Sequence, residues 1–145
     1  MAFEFRKCLS GAVEQYEDVL ISNVSITKGE LLYAASGYAT NATASSCTTQ
    51  TVIGVAGETV DNSGGSAGDK DCAICVSPDA IFEVGTVGTA AQSQIWTNVD
   101  LGAITTVDED DPKTGDSSIA GVVQLRKLIS TSKVLVRINY FSTGE

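Results

Sequence analysis

The string Val52-Ile53-Gly54-Val55-Ala56 lies within a stretch, Val24 to Val84, that repeats one pattern: short apolar strings separated by Gly, Ser, Thr, Asn and Asp. Two further strings are Leu31-Leu32-Tyr33 and Ile74-Cys75-Val76. Short strings bounded by turn-forming residues are typical of β-strands. The pattern predicts an all-β protein, built as a small β-barrel or sandwich-like domain with an extended N-terminal arm.

Several strands have a predicted partner. The predicted hairpins join Val19 to Ile26 with Glu30 to Ala34, Asp71 to Val76 with Ala80 to Val84, and Ile119 to Leu128 with Lys133 to Phe141. The last strand is the clearest, because its side chains alternate with a period of two. Val52 to Ala56 is continuous and apolar, which predicts a strand buried on both faces. Gly54 within it predicts either a close approach of two backbones or a bulge that bends the sheet.

The first 18 residues combine aromatic and charged side chains. Among them are Phe3, Phe5, Arg6 and Lys7. We therefore divide the chain into an exposed N-terminal arm, residues 1–18, and a β-barrel-like domain, residues 19–145. A helix after Ser10 is the alternative for the arm.

Composition and charge restrict the classes of function. A chain of 145 residues fits one domain with a single core. Eighteen acidic and nine basic side chains give a net charge of −9, which disfavours nucleic acid as a partner. The cations gather towards the two ends, as Arg6-Lys7, Arg126-Lys127, Lys133 and Arg137. A basic patch formed by them would suit an acidic protein surface.

The sequence contains neither a membrane-spanning apolar run nor, at its start, the pattern of a secretory signal. We therefore expect a protein that is made in the cytoplasm and does not bind membranes.

Four cysteines, Cys8, Cys47, Cys72 and Cys75, raise the question of a disulfide, a redox motif or a zinc site. Cys72 and Cys75 lie in a predicted strand, where residues three apart are about 10 Å apart and point to opposite faces. A disulfide requires Cα atoms within about 7 Å, so this pair does not close. Cys8 and Cys47 are isolated, which disfavours a zinc site. We expect free, partly buried thiols.

Two loops and one aromatic residue are further candidates. The glycine-containing stretch Asp61 to Lys70 lacks the helix and the lysine of a phosphate-binding loop. Asp108 to Asp116 is the densest run of charge, and we expect a solvated turn because the spacing of calcium ligands is missing. Trp96, the only tryptophan, is predicted to be a half-buried anchor.

Catalysis is not expected from this chain. Hydrolases and transferases need a positioned base, a nucleophile or a metal. The sequence contains no histidine, and its carboxylates, lysines, tyrosines and thiols form no recognisable constellation. We expect a protein that is not an enzyme and that binds no metal or cofactor.

The order of features along the chain carries a resemblance to a known family. A strand begins at Ile26-Thr27-Lys28-Gly29-Glu30-Leu31-Leu32, and Gly37, an Ala/Thr-rich stretch and Val52-Ile53-Gly54-Val55-Ala56 follow. After a glycine-rich loop come Ile119-Ala120-Gly121-Val122 and an alternating C-terminal strand. In this order the chain resembles the head decoration, or cement, proteins of tailed bacteriophages.

This resemblance implies a structural virion protein on the outer surface of an expanded icosahedral capsid. Such proteins are often trimeric, bind the major capsid protein and clamp neighbouring capsid subunits. For this chain, contacts with the capsid or with a neighbouring copy are predicted at Phe3, Phe5, Arg6 and Lys7.

Two rival functions come from other classes. The first is a glycan- or receptor-binding β-module of a phage tail or surface structure, with Tyr33, Tyr38 and Trp96 as an exposed aromatic platform. The second is a thiol enzyme that uses Cys72 and Cys75, which a strand at this position excludes.

Overall fold

The computed structural model describes residues 3–41, 52–103, 106–112 and 122–139, and nearly all of its regular structure is strand. The strands are β1 (Glu4–Cys8), β2 (Tyr16–Leu20), β3 (Ser25–Ile26), β4 (Leu31–Ala35), β5 (Tyr38–Asn41), β6 (Val52–Ala56), β7 (Val60–Asp61), β8 (Asp71–Cys75), β9 (Ala80–Thr86), β10 (Asn98–Ala103), β11 (Thr106–Pro112), β12 (Val123–Ser130) and β13 (Lys133–Ile138). One short 3-10 helix, Gln92–Gln94, precedes β10.

The first sheet has six strands in the order β1-β9-β11-β10-β12-β13. Strand β13 also pairs with β9, so this sheet curls back on itself. Both β1 and β11 border the opposite edge of β9: β1 pairs with residues 80–83, and β11 pairs with Gly85 and Thr86. As a result, four strands lie side by side in the order β1-β9-β13-β12.

The second sheet has five strands in the order β2-β8-β6-β4-β5, and β3 pairs with β7 in a small separate ribbon. Just after β2, a single isolated bridge joins Ile21 to Ala39 of β5. The two larger sheets pack face to face in a sandwich-like arrangement rather than in one closed barrel. The all-β prediction is confirmed in this form.

The main core lies between the two sheets. The six-stranded sheet contributes Phe82, Leu125 and Val136, and the five-stranded sheet contributes Leu31 and Val55. A second core, on the other face of the five-stranded sheet, includes Ile21, Ile26, Leu32, Cys72 and Ile74. Strands β4 and β8 therefore bury side chains on both faces, which accounts for their continuous apolar sequences.

Gly54 allows β6 to approach β8 closely. A Cβ atom at this position would overlap the carbonyl oxygen of Cys75 and would lie 2.7 Å from Cγ2 of Ile74. The backbone φ of Gly54 is +153°, in the range that favours glycine. The predicted close approach of two backbones is confirmed.

The prediction of an exposed N-terminal arm is wrong for the segment that contains β1. Strand β1 pairs with β9, and Phe3, which immediately precedes it, is only 3% exposed. Residues 16–20 form β2 instead of the alternative helix, and they pair with β8. Phe3, Phe5 and Cys8 are drawn into the sandwich because their burial in the main core is favourable.

Several predicted strands form, but two predicted hairpins do not. Strand β4 pairs with β5 and β6, and β3 pairs with β7, so residues 19–26 and 30–34 are not a hairpin. Strands β8 and β9 lie in different sheets, because the chain crosses from one layer to the other at 77–79. The hairpin of β12 and β13 is confirmed, with Thr131 and Ser132 at the turn, while residues 140–141 of the predicted last strand lie outside the described residues.

Other predictions have mixed outcomes. Of the predicted loop Asp61 to Lys70, residues 62–70 form a loop, whereas Asp61 ends β7. Residues 108–112 belong to β11 and not to a turn, whereas 113–116 lie outside the described residues, as do 119–121. Residues 42–51 of the Ala/Thr-rich stretch also lie outside them. Trp96 is 62% exposed rather than half-buried.

Candidate interaction surface

The outer face of four neighbouring strands carries an unusual concentration of positive charge. In β13, Val134, Val136 and Ile138 are buried in the main core, so alternation directs Lys133, Leu135 and Arg137 outwards. In β9, Phe82 and Val84 point into the core and Glu83 points outwards. The outer side chains of β1, β9, β13 and β12 therefore share one surface.

We call this surface the basic face. Its cations are Arg6 and Lys7 of β1, Arg126 and Lys127 of β12, and Lys133 and Arg137 of β13. These four strands hold six of the nine lysine and arginine residues of the chain but only two of its 18 acidic residues, Glu4 and Glu83. The rest of the chain therefore holds the other three basic residues and the other 16 acidic ones.

Glu83 organises the middle of the basic face. Its Oε1 accepts hydrogen bonds from Nη2 of Arg6 at 2.8 Å and from Nε at 3.2 Å. Its Oε2 lies 3.6 Å from Nζ of Lys133. One carboxylate therefore links the cations of two strands that do not pair with each other, β1 and β13. The side chain of Glu83 is 12% exposed, whereas those of Arg6 and Lys133 are 43% and 39% exposed.

Electrostatics favours the ionised form of Glu83. The hydrogen bond from Arg6 lowers the pKa of Glu83, and the charges of Arg6 and Lys133 lower it further, against the opposing effect of burial. The pKa of Arg6 is raised by the same hydrogen bond. Glu83 and Arg6 therefore stay ionised in the neutral range, and the six cations of the face outnumber its two carboxylates.

Two irregularities place additional cations on this face. The register of β1 against β9 shifts between Phe5 and Lys7, and that of β12 against β13 shifts between Leu125 and Lys127. An extra residue in one strand changes the direction of its side chain. Arg6 and Arg126 are the extra residues, and each is followed by an exposed lysine.

The predicted contact residues separate into two groups. Phe3 is buried, and Phe5 is half-buried against the core; both rings meet Phe82 edge-to-face. In this structure they hold β1 in place and do not offer a surface. Arg6 and Lys7 lie on the basic face. The cations of β12 and β13 join them there, and together they form the basic patch that the sequence suggested, although only residues of the first strand were predicted as contact residues.

The thiols do not form a reactive site in the part of the chain that the structure describes. Cys8, Cys72 and Cys75 are free and buried. Burial raises the pKa of Cys72 to about 11, and it also raises the pKa values of Cys8 and Cys75. Cys72 and Cys75 lie in β8, as predicted, and Cys47 lies outside the described residues. Among the described side chains no group suited to hold a metal ion is found.

The three aromatic residues proposed for a glycan platform do not lie together. Tyr33 packs against the main core, and Tyr38 is a half-buried residue of β5 in the five-stranded sheet. Trp96 lies beside β12 of the other sheet, where its backbone N–H donates to the carbonyl oxygen of Leu125 at 2.7 Å. Of these three residues, only Trp96 is exposed.

Neither the known protein families nor the curated proteins contain a match to this chain. Within the described ranges, no helix has the length and apolar character needed to cross a membrane.

Proposed function

We propose that this protein is a structural virion protein that binds the outer surface of an expanded icosahedral phage capsid through its basic face. The observation that carries the proposal is the gathering of six cations on β1, β12 and β13 in a protein with a net charge of −9. The role is one of binding and mechanical stabilisation, without catalysis.

The separation of charge gives the protein an orientation. Outside the four strands of the basic face, acidic residues far outnumber basic ones. An acidic partner therefore attracts one side of the molecule and repels the other, and such complementarity guides both encounter and register. A protein bound in this way exposes its acidic side, which disfavours a second layer.

Nucleic acid fits the basic face less well than an acidic protein surface does. Binding to a phosphate backbone draws on clustered cations with little competing negative charge. Here Glu83 occupies the middle of the cations, Glu4 lies 3.5 Å from Arg6, and the rest of the molecule repels a polyanion. A protein partner with discrete carboxylates can match this mixed pattern.

The choice of a phage capsid among acidic surfaces rests on the sequence resemblance to head decoration proteins. The major capsid protein is the proposed partner, and the protein clamps its neighbouring subunits against each other. We further propose that it acts as a homo-oligomer, with a trimer as the favoured state. In a symmetric oligomer on a repetitive lattice, several weak contacts combine by avidity.

The test is to mix purified protein with expanded phage heads that lack decoration and to measure the bound amount by sedimentation and electron microscopy. The proposal predicts saturable binding at a fixed number of copies per capsid position and a higher temperature of head rupture. Absence of binding to heads from the cognate phage would contradict it.

A further inference from the structure

At β12, the basic face borders the exposed indole ring of Trp96. Trp96 is 62% exposed, and the guanidinium carbon of Arg126 lies 4.4 Å from the centre of its ring. This separation is within the range of a cation–π interaction. Because Arg126 covers one face of the ring, the exposed area belongs mainly to the other face and the edges.

The backbone at Trp96 is unusual for a large residue. Its φ is +77°, a region that glycine and asparagine adopt readily and that bulky residues rarely do. Hydrogen bonds to β12 hold it there: its N–H donates to Leu125 O at 2.7 Å, and its carbonyl oxygen accepts from Nε2 of Gln124 at 3.4 Å. A strained backbone that presents an exposed side chain indicates a functional constraint on that side chain.

The surroundings of Trp96 favour a protein partner over a saccharide. Ile129, on the outward side of β12 about 10 Å from Arg126, is 46% exposed. Val87 is 60% exposed, and its loop is tied to the turn after β12 by the hydrogen bond from Thr86 N–H to Ser132 O. Trp96 lies beside Leu125, whereas Ile129 and Val87 lie further along β12 towards its turn, so these aliphatic groups continue the exposed surface away from Trp96 and Arg126. An arginine and a tryptophan on a partly apolar surface are a composition typical of protein interfaces.

We infer that Trp96 and Arg126 are the anchor of the capsid contact. This inference rests on the proposed function. The partner surface supplies an apolar recess that accepts the indole and a carboxylate that meets the guanidinium of Arg126. Tryptophan and arginine are the residues most enriched among those that dominate binding energy, and a ring already fixed by stacking loses little freedom on binding.

The φ of Trp96 provides a variant that separates binding from folding. Trp96→Asn places a residue that tolerates a positive φ at an exposed position, so we expect it to fold with wild-type stability. On heads we expect its affinity to fall by about tenfold or more. Val13→Ala is the matched control, because Val13 is 79% exposed and lies outside the basic face. Arg126→Gln is a second variant that leaves the backbone at Trp96 unchanged.

A direct readout uses the wild-type protein. Hydroxyl-radical oxidation followed by mass spectrometry reports the exposure of Trp96 with and without heads, and Tyr16 of β2 serves as the internal reference. The inference predicts that Trp96 becomes protected while Tyr16 does not. If heads bind while Trp96 stays reactive and both variants keep wild-type affinity, the anchor is wrong and the proposed function stands.

If wild-type protein does not bind heads at all, the anchor and the proposed function fail together. Protection of Trp96 by uncharged or acidic oligosaccharides, without any effect of heads, would also overturn the inference and would favour the glycan-binding alternative.

Discussion

Phe82 is the side chain on which the position of the N-terminal strand depends most directly. It is 1% exposed in β9, at the centre of the main core. The ring centre of Phe3 lies 6.4 Å from that of Phe82, and the ring centre of Phe5 lies 6.0 Å from it. The interplanar angles are 81° and 77°, the edge-to-face geometry that aromatic pairs prefer. We therefore choose Phe82→Ala as the perturbation.

The expected loss can be estimated from this packing. Truncation of a buried phenylalanine to alanine typically costs about 3–5 kcal/mol, and each edge-to-face pair contributes about 0.5–1.5 kcal/mol beyond area burial. With two such pairs lost, we expect a decrease of about 4–5 kcal/mol in the free energy of unfolding. For a chain of this size the midpoint temperature should fall by about 10–20 °C.

The assay is guanidinium unfolding followed by far-ultraviolet circular dichroism. Fluorescence is a poor probe here, because the only tryptophan, Trp96, is 62% exposed in the folded state. Phe82→Leu retains most of the apolar volume and should lose much less stability. Val87→Ala, at an exposed position, should have almost no effect. A loss below about 1 kcal/mol for Phe82→Ala would refute the packing of β1 against β9.

Three further predictions concern other parts of the fold. Gly54→Ala should lower the free energy of unfolding by about 3 kcal/mol, since the new Cβ would overlap the backbone of Cys75; an unchanged denaturation midpoint would contradict the close approach of β6 and β8. Cys8, Cys72 and Cys75 should resist a thiol reagent at pH 8 until guanidinium is added, because burial protects them and raises their pKa values; rapid labelling of any of them in the native protein, located by mass spectrometry, would be the contrary result. Folding lowers the pKa of Glu83. The ionised carboxylate of Glu83 therefore stabilises the folded protein at pH values above its ordinary pKa of 4.5, and this stabilisation is lost as the pH falls through the lower pKa of the folded state. Glu83→Gln should therefore make the acid-induced loss of stability shallower, and an acid limb as steep as in wild type would contradict this.

Local sequence patterns predicted where strands form better than where they pair. The period-two alternation of residues 133–141 and the apolar string 52–56 correctly indicated β13 and β6. Which strands pair with each other depends on the packing of the whole core, and strands that are adjacent in sequence need not pair. Residues 80–84 follow β8 after a short turn, yet they pair with β1 and β13 in the other sheet because Phe82 and Val84 complete its buried face.

The N-terminal strand was predictable in part. Phe3 and Phe5 alternate with Glu4 and Arg6, which is a strand pattern with one apolar face. An exposed arm was predicted instead, because aromatic and charged side chains are mixed in the first 18 residues. The sequence did indicate Arg6 and Lys7 as contact residues, and both lie on the basic face.

A basic patch could be expected from the sequence, but not that the cations from the two ends of the chain share one surface. Its cations come from residues 6–7 and from residues 126–137, and only the pairing of β9 with both β1 and β13 brings them to one surface. Trp96 was predicted to be half-buried, and its exposure was expected only in the glycan-binding alternative; its positive φ is a conformation that sequence propensity does not favour. Such departures from local preference are expected where a protein binds something.

The most direct test of the account is a charge reversal on the basic face, measured as affinity for expanded, undecorated heads. Lys7→Glu with Lys127→Glu reverses two exposed cations of this face, and Lys28→Glu with Lys70→Glu makes the same change in net charge elsewhere. The account predicts that the first pair weakens binding by about tenfold or more and reduces its dependence on salt, while the control pair keeps affinity close to wild type. Equal loss in both pairs, or no loss in either, would contradict a contact made through the basic face.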